Sequence, residues 1–92
     1  MNKYTKPTLH KLEHILHELE YSVRYEKGTF NSGYCIVENK RVVVVNRFYQ
    51  TDGRVMVLLE ILDKIMDDDS VLSDKSRVFY RNLLKNHHEP IN

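Results

Sequence analysis

His10, His14 and His17 are the residues of this chain whose type and spacing come nearest to a metal site. At about 100° per residue, intervals of four and three put all three imidazoles within roughly 60° of one another on one side of a helix. Imidazoles one turn apart can converge on a single ion, as the two histidines of His-Glu-x-x-His do on zinc. Leu9, Leu12, Ile15, Leu16 and Leu19 take the opposite side, so the histidines face away from the core, flanked by Glu13 and Glu18. Three ligands along one straight helix rarely reach one tetrahedral centre, so the pattern supports at most a weak site for zinc or another transition metal. A solvated face rich in histidine is the plainer reading, and a pH-sensitive surface is the third.

Other clusters carry less. Asp67-Asp68-Asp69 lacks the alternating oxygens and the glycine of an EF-hand loop, and reads as a solvated helix end. Lys27-Gly28-Thr29-Phe30-Asn31-Ser32-Gly33 has glycines at both ends of a loop, but no Lys-Ser/Thr pair follows, and it leads into a strand. It is a turn rather than a phosphate cradle. Cys35 sits in an apolar run with no base beside it in sequence, and is expected to be buried and unreactive. Tyr21, Tyr25, Phe30, Tyr34, Phe48 and Tyr49 interleave with Arg24, Lys27, Arg41, Arg47 and Arg54, a mixture that can stack single-stranded bases but is more often ordinary core and rim.

The totals narrow the field. Ninety-two residues make one domain, residues 1–92, with 86–92 expected to fray. Fourteen basic and thirteen acidic residues leave a net charge of +1, which gives no argument for nucleic acid. A single cysteine suits a reducing, cytoplasmic setting. The longest apolar runs, Val42 to Val45 and Val55 to Leu59, fall far short of the roughly 20 residues of a membrane span.

Periodicity then supplies the elements that must position these groups. Pro7 suits a first helical turn, and the leucine stripe predicts a helix ending near Glu20 or Tyr21. Val23 and Tyr25 alternate with Ser22, Arg24 and Glu26, which predicts a half-buried strand. A second strand spans about Gly33 to Val37, and Glu38-Asn39-Lys40 is a tight connection in which Asn39 is suited to the left-handed conformation. The unbroken valines of Arg41 to Asn46 predict a central strand covered on both faces. A helix from Thr51 to about Asp67 is apolar around most of its circumference, and a third helix follows from Ser73. The expected fold is α+β: a helix, a three-stranded mainly antiparallel sheet, then two helices.

The order of helix, strand, loop, hairpin and helix resembles the minimal zincin-like core of bacterial metallopeptidases that cleave phage-type repressors. Val42-Val43-Val44-Val45-Asn46 is similar to that family's Ile/Val-rich strand ending in Asn, and the helix from Thr51 takes the place of its His-Glu-x-x-His helix. The resemblance covers roughly Leu9 to Lys64 and rests on generic features. At the zinc-binding positions the chain reads Leu59-Glu60-Ile61-Leu62-Asp63, with only the glutamate retained. What the resemblance implies is therefore a scaffold without the means to activate a zinc-bound water.

The sequence thus points to a small, non-enzymatic interaction module of bacterial type, self-associating as a homodimer and with no resident cofactor. Met56, Leu59 and Met66 are the candidate interface, because the apolar second helix offers more surface than so small a chain is expected to cover. A metal-binding protein using His10, His14 and His17, and a weak single-stranded nucleic-acid binder, are the alternatives.

Overall fold

The computed structural model describes residues 4–27 and 33–88. Helix α1 (Lys6–Glu18) begins where the Thr5 side chain accepts a hydrogen bond from the Thr8 amide, with Pro7 in the first turn. It ends in a paired closure in which the Tyr21 amide donates to the Leu16 carbonyl and the Glu20 amide to His17. That closure needs a left-handed residue, and Glu20 supplies it at φ 66°. No glycine or asparagine marks the spot. Arg41 covers the same helix end, donating to the Leu19 carbonyl at 2.9 Å.

Strands β1 (Ser22–Glu26), β2 (Tyr34–Val37) and β3 (Val42–Asn46) form one sheet in the order β1-β3-β2. The β2–β3 pair is antiparallel, as a hairpin must be, but β1 runs parallel to β3, so the sheet is mixed. The hairpin turn is a single 3-10 turn over Glu38–Lys40, and its left-handed residue is Arg41 at φ 51° rather than Asn39. A 3-10 turn keeps its own residues right-handed and leaves the reversal to the residue that follows.

Helix α2 (Thr51–Ile65) and helix α3 (Asp74–His88) complete the chain, joined through a short 3-10 turn, Asp69–Val71. The end of α3 extends beyond the expected start of fraying at residue 86, and residues 89–92 of that expected tail lie outside the described residues. Ser73 caps α3, its hydroxyl accepting from the Ser76 amide at 3.3 Å. Among the described residues no helix is long and apolar enough to cross a membrane.

Helices α1 and α2 cover one face of the sheet. Val43 and Val45 are fully buried there beside Tyr34, whose hydroxyl reaches α2, and Tyr25, whose hydroxyl donates to Glu13 on α1. The alternate residues Val42 and Val44 are only half-buried, and Ser22, Arg24 and Cys35 are exposed. The valine run is therefore covered on one side, not two, and Cys35 is exposed, not buried. Both corrections share a cause: α1 and α2 pack side by side on the same face instead of sandwiching the sheet.

Six buried residues of α2, Val55, Val57, Leu58, Leu59, Ile61 and Leu62, are shared among the sheet and the other helices. Leu59 is only 3 % exposed, so the chain's own core takes it and it is no interface residue of the free surface. Met66 is half-buried and packs against the core, which leaves Met56, 44 % exposed, as the one member of that trio at the surface. Burial, not association, accounts for most of the helix's apolar circumference.

Candidate functional site

The three histidines of α1 lie on its exposed side, as the leucine stripe requires. The rings of His14 and His17 are 6.5 Å apart, but His14 Nε2 turns toward Glu18 Oε2 at 2.9 Å. Among the described residues no group of three or more His, Cys, Asp or Glu side chains gathers where one ion could be held. Two imidazoles are neighbours, and the third stands one turn away. Asp67-Asp68-Asp69 is likewise dispersed: Asp68 accepts from the Ser70 amide and hydroxyl, and Asp69 pairs with Arg81 through two hydrogen bonds.

Glu18 is the polar centre that sequence spacing does not reveal. Its carboxylate accepts from the Ser73 amide at 2.8 Å, the Ser73 hydroxyl at 3.1 Å and the Ser76 hydroxyl at 2.5 Å. It thereby ties the last turn of α1 to the first turn of α3, across 55 residues of chain. Burial raises its pKa, yet the hydrogen bonds from Ser76 and Ser73 and the proximity of His14 outweigh that and hold it below the ordinary 4.5. A lowered carboxylate stabilises the fold fully above its ordinary pKa, and the contribution is lost as pH falls through the lowered value. Glu18→Gln is accordingly expected to unfold at a urea midpoint less sensitive to acidification below about pH 5 than the unmodified chain. Equal pH slopes for the two proteins would show that Glu18 contributes nothing to the acid response.

Beside this tie, α1 and α3 leave a cleft of about 280 Å³, lined by Lys11, His14, Ser73, Lys75, Ser76 and Phe79. Most of its wall is apolar, with half-buried Phe79 packed against the core. Lys11 Nζ stands 5.1 Å from the centre of the Phe79 ring. Neither Lys11 nor Lys75 has a carboxylate within ion-pair distance among the described residues.

Two tyrosines of the sheet, Tyr25 and Tyr34, anchor it to the helices. Tyr34 donates to Glu60 at 2.5 Å and accepts from Lys64 at 2.6 Å, which holds the Lys64 ammonium above its ordinary pKa. Glu60, the glutamate that matches the zincin-type motif, is thus engaged with Tyr34, while Leu59 and Leu62 beside it are core. Burial, then the bond to Glu13, raises the Tyr25 hydroxyl. The Arg54 guanidinium stacks 4.2 Å from the Tyr25 ring and donates to the carbonyls of Tyr49 and Arg47. With Tyr25 and Tyr34 turned inward, the exposed sheet face has valine and cysteine where base stacking would require rings. Phe48 is 64 % exposed in the loop after β3, with the Arg47 guanidinium over its ring. Phe30 lies outside the described residues.

Comparison of the chain with protein-family models, curated proteins and solved structures finds no match.

Proposed function

We propose that the chain is a non-enzymatic interaction module of cytoplasmic, bacterial type that pairs with a second copy of itself through the uncovered face of its sheet. The observation that carries this reading is the one-sided cover. Val37, Val42, Val44 and Cys35 share the face turned away from the helices, and no aromatic or charged residue separates them. Arg24 and Glu26 rim the same face on β1, 2.6 Å apart. A two-fold axis lets the Arg24 of one copy meet the Glu26 of the other, so the rim is complementary to itself.

Size sets the strength of such a pairing. Three strands about 4.8 Å apart, two of five residues and one of four, present roughly 230 Å² per copy, against about 800 Å² per partner in a standard stable interface. The dimer is therefore a concentration-dependent one. Light scattering is expected to show a mass near 11.0 kDa in dilute solution, rising toward twice that as the protein approaches millimolar concentration. Val44→Glu should hold the protein at the monomer mass with its circular dichroism unchanged, because Val44 is outside the core. A monomer across the whole range, or a Val44→Glu protein that dimerises as before, overturns the reading.

A further inference from the structure

We propose that the cleft between α1 and α3 binds a small amphipathic carboxylate, an aryl or branched-chain acyl acid of about ten non-hydrogen atoms. At about 280 Å³ the cleft lies at the lower edge of the usual range for ligand pockets, which restricts the occupant to that size. Its mostly apolar wall with Phe79 favours a ring or a branched chain.

The charge of the occupant follows from what is matched and what is not. Glu18 accepts from the cleft residues Ser73 and Ser76 and lies against His14, so its oxygens are already engaged. Asp74 is turned to Arg77. Among the described residues of the cleft, Lys11 and Lys75 are the charges without an ion-pair partner, one contributed by each helix. Because the Lys11 ammonium sits over the Phe79 ring, an apolar contact and a cation are offered side by side. An aryl carboxylate satisfies both at once: its ring packs on Phe79 and its carboxylate meets Lys11 and Lys75. The proposal is independent of sheet pairing, since α1, α3 and the capping Ser73 supply every residue of the cleft.

Benzoate is a suitable probe, with benzyl alcohol as the ring without the charge and acetate as the charge without the ring. In amide-detected NMR titrations at fixed ionic strength, benzoate is expected to give saturable shifts centred on Lys11, His14, Ser76 and Phe79. Both controls should bind at least about tenfold more weakly, since each lacks one of the two matched features. Replacing both lysines, as Lys11→Glu with Lys75→Glu, should weaken benzoate about tenfold. Lys75→Gln, which changes an exposed side chain, should weaken it by a smaller factor in the same direction. Shifts that do not saturate, an acetate response equal to that of benzoate, or unchanged benzoate affinity in Lys75→Gln and the double variant would each overturn the assignment.

Discussion

Val43→Asp is expected to leave the chain unfolded, while Val44→Asp, one residue further along the same strand, folds. Val43 is fully buried, paired with Val23 on β1 and Ile36 on β2 beneath the helices. A carboxylate there loses water without gaining a partner, at about 3–5 kcal/mol, and forfeits about 1.5–3 kcal/mol of side-chain burial. A domain of this size has only about 5–14 kcal/mol of stability in total. Val44 points to the uncovered face and is paired with Arg24 on β1, so an aspartate there keeps water and acquires a cation. Its cost is expected to be about 1 kcal/mol. Far-UV circular dichroism and urea melts distinguish the two. A cooperative Val43→Asp protein beside an unfolded Val44→Asp protein would mean that β3 is out of register by one residue, which exchanges its two faces.

Gly33→Ala is expected to cost about 2–4 kcal/mol. Gly33 has φ +83°, a conformation that L side chains rarely adopt. An added Cβ would also overlap the Tyr49 hydroxyl and lie 2.7 Å from two carbons of its ring. The ring has little room to retreat, because its other edge rests on Gly53, where an added Cβ would stand 3.0 Å from Tyr49 Cδ1. Tyr49 is thus held between the residue before β2 and the first turn of α2, and the two glycines make that space. Combining Gly33→Ala with Tyr49→Leu should recover the part of the loss that is steric and leave the part that is conformational, about 1–2 kcal/mol. A urea midpoint for Gly33→Ala equal to that of the unmodified chain would show that neither constraint operates.

The elements themselves were legible because each is specified by its own residues. Leu9, Leu12, Ile15 and Leu16 at three- and four-residue spacing define the buried side of α1 whatever lies against it, and they are its buried residues. The same holds for the alternation of β1, the hairpin, the apolar α2 and the start of a third helix near Ser73, so the order helix, three strands and two helices follows from local pattern alone. Even the outward direction of the three histidines is a consequence of where the leucines point.

What the chain could not display locally is what packs across from what. Four valines look alike in a strand covered on both faces and in one covered on a single face, since β-branched residues suit either. Only the placement of α1 and α2 on one side leaves Val44 and Cys35 outward and takes Leu59 into the core. Parallel pairing of β1 with β3 is likewise a matter of topology. The β2–β3 hairpin turns β3 back along the direction of β1, and β3 enters between the first two strands. The tie from Glu18 to Ser73 and Ser76, and the cleft beside it, join residues more than 50 positions apart. Periodicity reports which side of an element is apolar, but burial and hydrogen bonding depend on the partner that arrives there, and that partner is chosen by the fold as a whole.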